Sequence, residues 1–199
     1  VCSSDLILKQ VETQNPGHPV VFLLKGDVAF ANKDLEKAKD FFSKSWVSNP
    51  SGASASKLFK VLSLMKDTSA KNKHLASWVA KYPQNPEAIL YQSINYQQRG
   101  QRIKAVEGYE KLLGIAPNNV IGLNNLGWIY FEKGDRRALE LLKRAYELTP
   151  ESAAVLDSYG WVLVKNGKVK EGLVYLEKAN KLAPNNKDIT DHLAEAKKM

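Results

Sequence analysis

The residues first in line to do chemistry in this 199-residue chain are three histidines, one cysteine and a few closely spaced acids. His18, His74 and His192 lie far apart. None has a second His or Cys at the short spacing from which metal sites are built. Cys2 is the only cysteine, so no internal disulfide can form. No phosphate-cradling glycine loop, nucleophile elbow or Cys–His pairing is present. Asp188 and Asp191 fall on one helical stretch, where a solvated face accounts for them more simply than acid–base work. The chain therefore reads as a non-enzyme with no cofactor. What remains is recognition chemistry, in the pairs Gly127-Trp128 and Gly160-Trp161, offset by 33 residues. Tryptophan offers a large apolar surface with one N–H donor, a combination suited to holding a partner.

The elements that must position these tryptophans repeat too. Pro16, Pro50, Pro83, Pro117, Pro150 and Pro184 recur every 33 or 34 residues. Proline cannot continue a helix interior, because it has no N–H and its ring clashes with the preceding turn. Midway between prolines come Gly100, Gly134 and Gly167, and glycine readily takes the left-handed conformation that closes a helix. Each unit thus reads as helix A, tight turn, helix B and a proline-containing turn. One such hairpin cannot bury its apolar stripe alone, whereas a stack can.

This pattern resembles the tetratricopeptide repeat (TPR). The residues that carry the likeness include Leu123, Leu126, Gly127, Tyr130, Ala138, Leu142 and Ala145 in one unit. The next has Leu156, Tyr159, Gly160, Gly172, Leu176 and Ala179. The resemblance implies an all-α fold, a right-handed superhelix of antiparallel helix hairpins. A single array over residues 7–199 would comprise a half repeat at 7–18, repeats at 19–51, 52–85, 86–119, 120–152 and 153–186, and a terminal helix at 187–199. In the half repeat Leu8 and Val11 would pack; in the terminal helix Ile189, Leu193 and Ala194 would. Repeat 52–85 is degenerate, with Phe59 and Lys71 where small residues are expected. The opening Val1–Leu6 reads as non-native, adapter-like sequence, so the chain is expected to be a piece of a longer product whose targeting signal lies outside it.

In this family a protein or peptide ligand lies along the concave surface lined by the A helices. Carried over, that groove comprises Tyr91, Asn124, Asn125, Trp128, Phe131, Asp157, Trp161 and Lys165, with Ser158, Val164 and Gln97 at further places. Trp128 and Trp161 would stand side by side, either facing the groove or packing the stack. The counterparts of Asn125 are Tyr91, Ser158 and His192, so no asparagine ladder is formed.

Charge adds an alternative. The chain carries a net charge of +8, but residues 52–85 hold six lysines against Asp67 alone. Lys57, Lys60 and Lys66 form a candidate basic patch, which would attract an anionic polysaccharide through a salt-screened field. Arginine is scarce there and no aromatics interleave with the lysines, which argues against nucleic acid. No apolar run reaches the length needed to span a bilayer. Finally, Asn124–Ala194, with NNLGW, GDRRALEL, AYELTP, VLDSYGWVL and HLAEA, resembles the C-terminal end of the TPR-repeat lipoproteins of bacterial PEP-CTERM/exosortase systems. That likeness implies an exported, lipid-anchored protein beside exopolysaccharide production; without it a cytoplasmic location would be expected.

Overall fold

The computed structural model describes Thr13 and residues 18–199. The adapter-like Val1–Leu6 and the packing residues Leu8 and Val11 of the half repeat lie outside the described residues. Among those described there are eleven helices and no strand. They are α1 (Pro19–Ala31), α2 (Leu35–Ser48), α3 (Gly52–Leu64), α4 (Thr68–Lys81) and α5 (Pro86–Gln98). They continue as α6 (Arg102–Ile115), α7 (Val120–Glu132), α8 (Arg137–Leu148), α9 (Ala153–Lys165), α10 (Val169–Leu182) and α11 (Lys187–Ala196). None of these helices is long and apolar enough to cross a membrane.

Every A-to-B turn is the same device. Five residues take the left-handed conformation: Lys33 (φ 61°), Lys66 (φ 58°), Gly100 (φ 69°), Gly134 (φ 71°) and Gly167 (φ 83°). After each, the next backbone N–H reaches back to the carbonyl five residues earlier. The bonds run from Asp34 to Ala29 (2.9 Å), Asp67 to Leu62 (3.1 Å), Gln101 to Tyr96 (2.9 Å), Asp135 to Tyr130 (2.9 Å) and Lys168 to Leu163 (3.0 Å). This closes the carbonyls that a helix end leaves unpaired. The two lysine turns are followed by aspartates that cap the next helix, Asp34 accepting from Lys37 N–H and Asp67 from Ala70 N–H. At the other end of each hairpin the B helix stops just short of its proline, as proline's missing N–H dictates.

The chain divides into two compact units, residues 1–88 and 89–199, with the division inside α5. In the first, Val21, Ala38, Phe42, Ala55, Val61 and Trp78 are buried completely or almost so. Repeat 52–85 still forms a hairpin. Phe59 stands where a small residue is expected, and its ring faces Trp78 at 6.4 Å. His74 is buried under Trp46, edge-on at 5.3 Å, with its Nε2 2.8 Å from the carbonyl oxygen of Ala55.

In the second unit the glycines fix how closely the helices cross. A methyl group on Gly172 would lie 2.5 Å from the carbonyl oxygen of Gly160, and one on Gly160 would lie 2.9 Å from that of Gly172. α9 and α10 thus touch backbone to backbone, which lets α9 bury an unbroken run from Val155 to Val164. Tyr146, Tyr159 and Tyr175 pack ring against ring, with centroids 4.9–5.5 Å apart. The terminal α11 closes the unit with Ile189, Leu193 and Ala196. Ala194, expected to face the stack, is exposed; Ala196 takes its role, seven residues after Ile189 and hence two turns along the same face.

Candidate functional site

The A helices α5, α7, α9 and α11 enclose an open hollow of about 450 Å³ in the second unit. α5 and α7 line it with Gln97, Asn124, Asn125 and Trp128; α9 adds Ala154, Asp157 and Ser158. α11 and its cap supply Asn186, Asp188, Ile189 and His192. This volume lies within the range of about 300–1,000 Å³ usual for ligand pockets.

Hydrogen bonds hold the floor rigid. Asn125 Nδ2 donates to the hydroxyl oxygen of Tyr109 (3.0 Å), and the Tyr109 hydroxyl donates to Gln97 Oε1 (2.7 Å). Tyr109 has no exposed surface, and burial pushes its phenol up to about 12, against the opposing pull of the Asn125 bond. It therefore stays a neutral donor throughout the physiological range. Ser158 gives its proton to the Ala154 carbonyl one turn back (3.0 Å). Trp128 donates its indole N–H to Glu132 on its own helix (3.1 Å).

The far wall is built around His192. Its Nδ1 lies 3.0 Å from both carboxylate oxygens of Asp157, which is 7% exposed. Its ring stacks on Trp161 (4.3 Å, 15°) and faces Trp128 at 5.7 Å. Asn186 caps α11 by accepting from the backbone of Asp188 and Ile189. That leaves the Asp188 carboxylate at the exposed mouth.

Of the residues selected from sequence, the structure brings Asn124, Asn125, Trp128 and Asp157 together in this hollow, with Gln97 and Ser158. The others go elsewhere. Tyr91 is half-buried on α5 and does not line it. Phe131 packs into the apolar clusters between repeats, 5.6 Å from the Trp128 ring. Val164 is buried in the core. The two readings of Trp128 and Trp161, facing the groove or packing the stack, divide between them. Trp161 is 7% exposed because α11 lays His192 across it, while the Lys165 ammonium sits over the ring (5.0 Å) and reaches Glu195 of α11 (3.3 Å). Packing the stack is the reading that holds for Trp161, and Trp128 alone meets the hollow. The share of α11 is not among the selected residues, although the repeat register matches His192 to Asn125; His192 and Asp188 sit where a further A helix supplies its own groove places, beside the capping Asn186.

In the first unit, Lys57 is ion-paired with Asp27, and Lys60 lies 5.0 Å over the Phe30 ring. Together with Phe42 these residues line a separate hollow of about 70 Å³. Lys66 is the left-handed turn residue after α3. Of the three lysines, Lys57 has an acidic partner. Each histidine has a local partner. His18 caps α1 by accepting from Val20 N–H (3.2 Å), His74 bonds the Ala55 carbonyl, and His192 pairs with Asp157. Among the described residues no three His, Cys, Asp or Glu side chains group so as to hold a metal ion.

Comparison with known proteins bears on the fold. Residues 153–186, which form α9, α10 and the turn after them, match the tetratricopeptide repeat family model. The TPR repeat-containing protein PA4667 of Pseudomonas aeruginosa is 27% identical over 117 residues, 58% of this chain and 20% of that protein. The protein O-mannosyl-transferase TMTC1 of Mus musculus is 28% identical over 145 residues, 69% of this chain and 15% of its own length. The chain thus spans no more than a fifth of either curated relative. Among solved structures, YrrB, described as a TPR protein with an unusual peptide-binding site, superimposes with a TM-score of 0.69. That match covers 96% of this chain and 98% of YrrB at 14% identity, a likeness of fold alone. The fold is that of a TPR solenoid, built from helix hairpins of tetratricopeptide type.

Proposed function

We propose that this chain is a non-enzymatic repeat scaffold that holds an extended peptide segment of a protein partner along the A-helix face of residues 89–199. The observation that carries the reading is the hollow itself. Four residues chosen from the repeat register alone, Asn124, Asn125, Trp128 and Asp157, converge there on a floor held by the Asn125–Tyr109–Gln97 chain. Side-chain amides can both donate to and accept from a peptide backbone, and Trp128 supplies an apolar anchor of the kind that dominates interface energetics. Likeness to a TPR repeat-containing protein and to a structure described as having a peptide-binding site supports the same use of the fold. The exported setting beside exopolysaccharide production belongs to the proposal as well, and rests only on the PEP-CTERM-type motifs of Asn124–Ala194. The polysaccharide alternative gains nothing from the structure, since Lys57 is matched by Asp27.

The test is selection of random dodecapeptides on the whole chain, followed by fluorescence anisotropy with each selected peptide. Binding in the micromolar range, about −8 kcal/mol, is expected for the wild type. It should weaken at least tenfold in Trp128→Ala and in Ser158→Trp, which fills the hollow, with helicity by circular dichroism unchanged. Failure to select any peptide, or equal binding by both variants, refutes the assignment.

A further inference from the structure

The hollow has a marked chemical bias. The chain has 29 Lys and Arg against 21 Asp and Glu, yet none of the residues lining the hollow is Lys or Arg. Two are carboxylates: Asp157 in the wall and Asp188 at the mouth. The imidazole that lines it, His192, has its Nδ1 engaged by Asp157.

Three of the donors turn inward: the Ser158 hydroxyl hydrogen goes to Ala154, the Trp128 N–H to Glu132, and an Asn125 amide hydrogen to Tyr109, while the amides of Gln97, Asn124 and Asn186 keep N–H groups for a ligand's acceptors. A carboxylate offers about four acceptor sites, and one imidazole nitrogen uses only part of what Asp157 can provide. Negative charge thus stands without any Lys or Arg in a recess walled on one side by an indole.

The complementary ligand group carries donors for the carboxylates, positive charge and a flat face. Guanidinium fits all three requirements: it meets carboxylates with a planar fork of N–H groups and stacks on aromatic rings. We infer that the hollow is a seat for an arginine side chain carried by the bound peptide segment, with Asp157 and Asp188 as its counter-charges and Trp128 as its stacking wall. This rests on the peptide-holding reading above and names the feature of the partner that gives it specificity. A lysine would satisfy the charge without the fork or the stacking face, so it should rank below arginine.

The experiment uses the peptides selected on the whole chain. In each, arginines are replaced singly by citrulline, which keeps the shape and removes the charge, then by lysine and by glutamate. Anisotropy is read against wild type, Asp188→Asn and Asp157→Asn. On wild type, one arginine position should lose at least tenfold on change to citrulline, less on change to lysine and most on change to glutamate. The arginine-to-citrulline gap should shrink to within about twofold in Asp157→Asn and narrow in Asp188→Asn. Asp188 is exposed, so its variant keeps the test intact if Asp157→Asn proves unstable. Selected peptides that bind wild type equally well with citrulline at every arginine position overturn the arginine seat while leaving peptide binding standing. Failure to select any peptide removes both readings.

Discussion

The contact between α9 and α10 predicts a large effect from a single methyl group. In Gly172→Ala the new Cβ would lie 2.5 Å from the Gly160 carbonyl oxygen and 2.5 Å from Val164 Cγ2. The first of these is backbone and cannot rotate away, so the helices must separate. Overpacking of a tight core costs about 1–3 kcal/mol, and an immovable neighbour places this case at the upper end. Alanine returns up to about 1 kcal/mol over glycine in a helix interior, leaving a net loss of about 2 kcal/mol. For a unit of this size 1 kcal/mol moves the melting temperature by roughly 4–8 °C, so a drop of about 10 °C is expected. Gly114→Ala is the internal control. That glycine is also helical, but nothing lies within 4 Å of the added methyl, so only the propensity gain remains, about 0.5–1 kcal/mol less fraying near the helix end. Urea unfolding monitored by circular dichroism and tryptophan fluorescence, with m-values checked for constancy, would measure both. If Gly172→Ala is as stable as the parent, or if both variants shift together, the close crossing is not what places α9 against α10.

The first unit yields two more tests. A left-handed conformation costs a non-glycine residue roughly 1–2 kcal/mol, partly offset by glycine's entropy, so Lys66→Gly and Lys33→Gly should each raise stability by about 0.5–1 kcal/mol, whereas Lys66→Val should lower it; urea midpoints that fall in the glycine variants would contradict this. Burial holds the His74 imidazole below its ordinary 6.5, with its bond to Ala55 opposing; below that pH the unfolded chain takes up a proton the folded chain resists. Stability should therefore be full above pH 6.5 and fall as the pH drops toward 5, and His74→Gln should flatten that slope; parallel pH profiles for the two proteins would count against it.

The prolines and the three turn glycines were legible in the sequence because each answers a backbone requirement that few other residues meet. Lys33 and Lys66 make the same turn, with the same five-residue return bond, and were not legible. A left-handed lysine is merely costly, and the surrounding hairpin supplies more than that cost. The difference is thermodynamic, so no inspection of residue type would have found it. The two glycines before Trp128 and Trp161 were legible as part of the repeat signature, and the structure gives the reason, since a Cβ there meets a neighbouring helix at under 3 Å.

The different fates of the two tryptophans trace to the terminal helix. Trp128 and Trp161 occupy equivalent places in successive repeats, and each ring is met by a residue of α11. Trp161 lies directly under His192, while Trp128 is one repeat further away and keeps an open side. Equivalence in register therefore fixes which helix face a residue occupies, but the next helix decides whether that face is covered. The same logic separates the candidate site from the candidate patch. Asn124, Asn125 and Asp157 line a hollow because α11 closes a wall around them with groups of matching polarity. Lys57, with equal promise from its spacing, met Asp27 of the preceding hairpin, and the pairing matched one of the charges on which the patch depended.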